Sequence, residues 1–197
     1  MKNTVLTKLL KASAKTCMLS VIGLGSAFNT VAVRADQVNE HIQWVNHFDL
    51  LSGDTTNLTT TYNSTNSGVG SGLTGLVIQS NSLGDTFPAG GNKVVQMALE
   101  LPKETKITGV RVCYENSSSL SFISQVRLAQ VQNPPSSALV KLDDPTHLNA
   151  SGPVCEDSTL VKPAIKSKNG PVLLSLRIDT GDIYDKIVIR GLGVIVK

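Results

Sequence analysis

A histidine and two aspartates within one short stretch are the residues best suited to catalysis in this 197-residue chain. His147 closes the sequence Asp143-Asp144-Pro-Thr-His. A histidine oriented by a carboxylate can act as a general base toward a nucleophile, as in many hydrolases. Serine is frequent, but no serine stands in the GxSxG pattern that exposes an attacking hydroxyl. A surface loop is therefore the simpler interpretation, and an exported hydrolase is the alternative.

Acidic residues offer one candidate metal site. Asp179, Asp182 and Asp185 occur together in a turn-like stretch, and carboxylate oxygens are the ligands that calcium prefers. Their spacing differs from the alternating acidic pattern of a known calcium loop. Acidic residues are also common in exposed turns that bind no metal. His41 and His47 are six residues apart, without the third ligand that a zinc site requires. We therefore expect no cofactor, with calcium as the alternative.

Aromatic side chains are needed to bind sugars, because sugar rings stack on aromatic faces. Tyr62 and Phe87 occur in loop-rich sequence, and they are the one pair that could be exposed and available for binding. The simpler interpretation is that they anchor the core or the loops. Trp44 and Phe48 share the parity of Ile42, which predicts that both face the core.

The first 35 residues have the features of a secretory signal peptide. Four lysines precede a 12-residue run from Cys17 to Phe28, and Ala35 is the small residue expected at a cleavage site. The run is shorter than the roughly 20 apolar residues of a membrane span. We predict cleavage after Ala35, no span in the mature chain of residues 36–197, and a secreted or periplasmic location in a bacterium.

Cleavage would reverse the sign of the charge. The leader contains five Lys and Arg residues and no acidic residue, so the formal net charge changes from +3 to −2. A mildly acidic chain lacks the basic surface that phosphate backbones require. We therefore expect no nucleic-acid partner, and a protein or a glycan instead.

Two cysteines remain after Cys17 leaves with the leader. Cys113 and Cys155 then form the one available pair, and disulfides persist in the compartments to which exported proteins go. Neither cysteine has the CxxC partner typical of zinc sites. The sequence therefore predicts a disulfide.

Composition and periodicity favour strands. Val, Ile and Thr make up 40 of the 162 residues that follow Ala35, whereas Ala occurs six times. Residues alternate between apolar and polar in Val94–Leu101 and Val172–Asp179, and Ala138–Leu142 is similar. This period of two predicts half-buried strands.

The parity of the last apolar segment changes within the segment. Ile187 and Ile189 have one parity, and the apolar residues from Leu192 onward have the other. A strand needs one extra residue to make such a change, which predicts a β-bulge at Arg190–Gly191.

These elements predict one all-β domain over residues 36–197, an antiparallel β-sandwich of jelly-roll-like type, with an immunoglobulin-like sandwich as the alternative. Residues 52–92, rich in Thr, Asn, Ser and Gly, are predicted to be long loops around one short strand. Leu101–Val112 and Ile187–Val196 resemble segments of secreted bacterial β-sandwich domains, and this resemblance implies the fold but no functional residue.

The sequence therefore predicts a secreted, non-catalytic module that binds an envelope or extracellular protein or glycan through its loops. Two alternatives stay open: the hydrolase with a site around Asp143–His147, and a structural surface subunit that adds strands to its neighbours.

Overall fold

The computed structural model describes residues 39–56, 58–62, 75–82, 93–132, 137–160 and 163–197. The predicted signal peptide lies outside these ranges. Strands dominate the described residues, with single-turn 3₁₀ helices at His47–Asp49 and Ser167–Asn169. In chain order the strands are β1 (His41–Val45), β2 (Leu51–Ser52), β3 (Leu58–Tyr62), β4 (Leu76–Ser80), β5 (Lys93–Leu99), β6 (Lys106–Asn116), β7 (Phe122–Val131), β8 (Ala138–Asp144), β9 (Val154–Thr159), β10 (Ile165–Lys166), β11 (Val172–Asp179) and β12 (Ile187–Val196). None of the helices in the described ranges has the length and apolar content needed to cross a lipid bilayer.

Two antiparallel sheets contain the strands that the structure describes. Sheet A has seven strands around the central pair β6 and β12. The far side of β12 pairs with β4 and β1, β4 pairs with β3, and the far side of β6 pairs with β9 and β10. Sheet B has five strands in the order β2-β5-β11-β7-β8.

Successive strands cross between the sheets. The chain runs from β4 in sheet A to β5 in sheet B, returns to β6 in sheet A, continues to β7 in sheet B, and later crosses from β11 to β12. Connections of this kind are typical of jelly rolls. The predicted all-β, jelly-roll-like sandwich is confirmed.

The hydrophobic core lies between the two inner faces. Val172, Leu174, Leu176 and Ile178 of β11 are all at least 98% buried, as their alternation predicts. Burying a side chain of this size contributes roughly 1.5–3 kcal/mol relative to leaving it exposed. Apolar residues of β5, β6, β7 and β12 provide much of the rest of the core, and β3, β4, β8 and β10 contribute further residues.

The bulge predicted in β12 is confirmed. Ile189 pairs with Tyr114 of β6, and Gly191 pairs with the adjacent Cys113. Arg190 is therefore the extra residue. Arg190 forms an ion pair with Glu115, and both side chains are at least 90% buried.

Two predictions about strands are wrong. The 52–92 region contains two paired strands, β3 and β4, because β-branched Thr60 and Thr61 can lie opposite the apolar Ile78 and Val77 of β4. In β8 a register shift leaves Lys141 unpaired, so Val140 faces outward opposite Ala129, whereas Leu142 is buried. A bulge reverses the face of every residue on one side of it.

The predicted disulfide is confirmed. Cys113 of β6 and Cys155 of β9 lie directly opposite each other, with 3.9 Å between their Cα atoms. The bond links β9, at the margin of sheet A, to a central strand.

Candidate functional site

Trp44 lies on the outer face of sheet A, opposite Gly193 of β12. A Cβ atom placed on Gly193 would lie 3.3 Å from Cε3 of the indole, and one placed on Gly191 would lie 3.2 Å from Cζ3. The ring therefore rests on a stretch of strand without side chains, and 57% of the residue is exposed. Aromatic rings cover strand glycines in this way in other sheets.

The prediction that Trp44 and Phe48 face the core is wrong. Strand β1 turns its other parity inward, so that Val45, opposite buried Leu192, packs against the core. Phe48 follows in the 3₁₀ turn and is 38% exposed. Alternation in a five-residue strand does not show which face is buried. The glycines of the partner strand show it, because they leave room for the indole on the outer face.

An ion pair lies in the same row of the sheet as Trp44. Gly193 pairs with Arg111 of β6, and Arg111 pairs with Asp157 of β9. Nε and Nη2 of Arg111 donate to the two carboxylate oxygens of Asp157, each over 2.6 Å. The hydrogen bond from Arg111 lowers the pKa of Asp157. Because neighbouring strands are about 4.8 Å apart, the backbone of Arg111 lies roughly 10 Å from that of Trp44.

A hollow of about 430 Å³ opens beside the indole, between the end of β1 and strand β5 of the other sheet. We call it the Trp44 hollow; its lining comprises Trp44, Val45, Asn46, Asp49, Met97, Ala98 and Glu100. Nδ2 of Asn46 donates to Oδ1 of Asp49 over 2.9 Å, and Oδ1 of Asn46 accepts from the backbone N–H of Phe48. The 3₁₀ turn thus fixes an amide and a carboxylate at the mouth, and exposed Glu100 provides a second carboxylate.

A second hollow, of about 400 Å³, lies near the other end of β1. Glu40 and Lys197 form an ion pair over 3.1 Å at its rim, and Thr108 and Ile195 contribute to the lining. Hydrogen bonds from Lys197 and Thr108 lower the pKa of Glu40. This hollow contains no aromatic lining residue among those described.

The residues of the predicted hydrolase site have other partners. His147 is exposed and stacks on Phe122, with ring centroids 4.5 Å apart. Asp143 accepts hydrogen bonds from Arg127, and Asp144 accepts from the backbone N–H of Thr146 over 2.9 Å. The contacts of these described residues thus include none between the histidine and either aspartate.

The aspartates of the calcium hypothesis each have a separate environment. Asp179 is buried, Asp182 accepts from the backbone N–H of Tyr184, and Asp185 accepts from the hydroxyl of Ser121. Across the described ranges, no three His, Cys, Asp or Glu side chains are grouped to hold a metal ion. The calcium hypothesis gains no support from this geometry.

The predicted binding pair, Tyr62 and Phe87, has both side chains outside the described part of the structure. The backbone of Tyr62 belongs to β3, opposite Leu76, and its side chain lies outside what is described. Phe87 lies outside the described residues altogether. The sequence contains a tryptophan in one apolar segment and the pattern Gly-x-Gly, Gly191 and Gly193, in another segment far downstream. Only the pairing of the two strands shows that the indole lies over these glycines.

No family model and no curated protein matches the chain. Among solved structures, the family 11 carbohydrate-binding module of the Clostridium thermocellum cellulase Lic26A-Cel5E is similar, with a TM-score of 0.47 and 9% identity over 80% of this chain and 95% of that one. The CBM22-1–GH10 modules of the xylanase Xyn10B from the same organism have a TM-score of 0.45 and 13% identity, covering 78% of this chain and 27% of that one. The CBM36-1 domain of a xylanase from the hindgut metagenome of Trinervitermes trinervoides has a TM-score of 0.42 and 12% identity, covering 79% and 96%. We take no ligand and no site from these similarities.

Proposed function

We propose that this chain is an exported, non-catalytic module that binds a glycan at the Trp44 hollow. The observation that carries this proposal is the exposed indole, which rests on two glycines beside an amide and two carboxylates. The apolar face of a sugar ring stacks on an aromatic face, while its hydroxyls exchange hydrogen bonds with groups such as Asn46 and Asp49. Binding sites commonly combine an apolar wall with a few polar groups.

The way in which the indole is held favours affinity. Contacts with Gly191 and Gly193 limit the orientations of the Trp44 ring before any ligand arrives. A side chain that is already ordered loses little conformational entropy on binding. An aromatic side chain in a loop would lose more conformational entropy on binding. This difference favours the sheet surface over the loops as the binding region.

Binding is favoured over hydrolysis because the candidate catalytic side chains are engaged elsewhere. Asp143 is held by Arg127, and His147 stacks on Phe122. Export is supported by the Cys113–Cys155 disulfide, because such bonds persist in oxidising compartments.

Intrinsic fluorescence tests the proposal directly, because Trp44 is the single tryptophan of the chain. The protein, purified with its disulfide formed, is titrated with soluble polysaccharides and oligosaccharides of different composition. We expect at least one of them to shift the emission and to protect the indole from quenching by iodide.

Variants then locate the effect. Trp44→Ala should abolish retardation by the same polysaccharide in affinity gel electrophoresis. Tyr184→Ala removes an aromatic residue that is 81% exposed and lies in the loop before β12, and it should leave retardation unchanged. Retardation that survives Trp44→Ala, or a panel in which no glycan alters the fluorescence, would contradict the proposal.

A further inference from the structure

We infer that the glycan bound at the Trp44 hollow contains amino sugars with free, protonated amines. This inference rests on the proposed function and narrows its ligand class. Its basis is the charge of the lining: Asp49 and Glu100 are both carboxylic acids, and none of the described lining residues is Lys, Arg or His.

The indole and the carboxylates favour the same ligand charge. A cation over the face of a tryptophan is attracted by the ring quadrupole, and the interaction strengthens as water is excluded. Met97 and Ala98 give the hollow an apolar wall on the side of sheet B, against which a bound sugar would displace water. An ammonium group in the hollow would therefore meet Trp44 on one side and the carboxylates on another, whereas the carboxylate of a uronic acid would be repelled.

Neighbouring basic groups do not cancel the charge of the hollow. His47 lies in the same 3₁₀ turn as Asp49, but burial lowers its pKa, so it tends to remain neutral. Arg111 is paired with Asp157, and Lys197 with Glu40 at the second hollow. The acidic character of the lining is thus left for a ligand to neutralise.

Two oligosaccharides of the same length and linkage separate the contribution of charge from that of stacking. One consists of β-1,4-linked glucosamine and the other of β-1,4-linked N-acetylglucosamine, and both are titrated by calorimetry at mildly acidic pH, where the free amines are protonated. We expect the amine form to bind about tenfold more tightly, which is the combined effect of a cation–π contact with the indole and attraction by the two carboxylates. Added salt should reduce this preference and leave the binding of the acetylated form unchanged.

Isosteric variants assign the preference to the hollow. Asp49→Asn with Glu100→Gln removes both charges while preserving shape. The preference for the amine form should then fall from about tenfold to about two- or threefold, which is what a cation–π contact with the exposed indole contributes. Asp182→Asn, an exposed acid in another loop, is the matched control and should keep the tenfold preference.

The possible failures are distinguishable. Equal affinity of the wild-type protein for both oligosaccharides, or tighter binding of the acetylated form, overturns the inference while glycan binding stands. An undiminished tenfold preference in the double variant also overturns it. If neither oligosaccharide nor any polysaccharide alters Trp44 fluorescence, the proposed function itself fails.

Discussion

The indole of Trp44 lies over Gly193 of the neighbouring strand, so an exposed aromatic side chain of β1 is packed against a part of β12 that has no side chain. The relationship is reciprocal. The indole covers strand backbone that has no side chain of its own to pack. The glycine leaves room for the ring, because a Cβ at position 193 would lie only 3.3 Å from Cε3 and would press against it.

Gly193→Ala should destabilise the protein and disturb the binding surface. The new Cβ would lie 2.5 Å from Cγ2 of Ile42, and a β-branched side chain can relieve this clash only by leaving its preferred rotamer or by shifting the strand. Overpacking of this kind costs about 1–3 kcal/mol. Urea unfolding followed by circular dichroism measures the cost, and Trp44 fluorescence reports the displaced ring.

Gly152→Ala is the matched control for that substitution. A Cβ at Gly152 meets nothing within 4 Å, so its stability should stay within about 0.5 kcal/mol of the wild type. Equal stabilities of the two variants would show that the space over Gly193 is not filled as described.

Breaking the disulfide should lower stability by about 4 kcal/mol, the loop-closure entropy of the cross-link between residues 42 positions apart. Cys113→Ala with Cys155→Ala should have the same effect as a reductant acting on the wild type, measured by denaturant midpoint. The double variant should not respond to reductant. A midpoint that reductant leaves unchanged in the wild type contradicts the prediction.

The sandwich could be predicted from the sequence because the long strands are buried on one face, so that apolar and polar residues alternate along them. In β11 the inward residues Val172 to Ile178 are all apolar, and in β12 the change of parity at Arg190 reveals even a local irregularity. Buried alternation is a strong signal because a polar residue on the inner face would lose its hydrogen bonds with water.

The candidate site could not be predicted in the same way, because it depends on pairing between distant segments. Trp44 and Gly193 are almost 150 positions apart, and nothing near Trp44 in the sequence announces two glycines beneath it. Parity with Ile42 gave the wrong face, because β1 is short and has apolar residues on both parities. Likewise, the proximity of Asp143 to His147 in sequence did not foresee that Arg127 would hold the carboxylate.

Tyr114→Phe should cost about 1–3 kcal/mol, because it removes a hydrogen bond to the partly buried carboxylate of Glu156 and leaves the Ala150 N–H without its acceptor. The Tyr114 hydroxyl donates to Oε1 of Glu156 over 2.5 Å and accepts from the backbone N–H of Ala150. Burial, and then this hydrogen bond, raise the pKa of Tyr114 to about 12. In a spectrophotometric titration of tyrosinate absorbance, the step at the highest pH should therefore be missing from Tyr114→Phe. Tyr184→Phe, at an exposed position, is the control and should retain both that late titration and the wild-type stability.

Stability should fall as the pH drops below about 6.5, and His47 should account for much of that fall. His47 is half-buried, its Nε2 has no hydrogen-bond partner among the described residues, and burial lowers its pKa in the folded state. The unfolded chain therefore takes up a proton first: stability is complete above the unfolded pKa and declines as the pH falls toward the lower, folded value. Urea midpoints between about pH 8 and pH 5 measure this slope, above the range in which acids with lowered pKa values, such as Asp157, take up protons. His47→Gln should flatten the slope, whereas His41→Gln, at an exposed position of β1, should preserve it; a slope that survives His47→Gln would place the pH-sensitive group elsewhere.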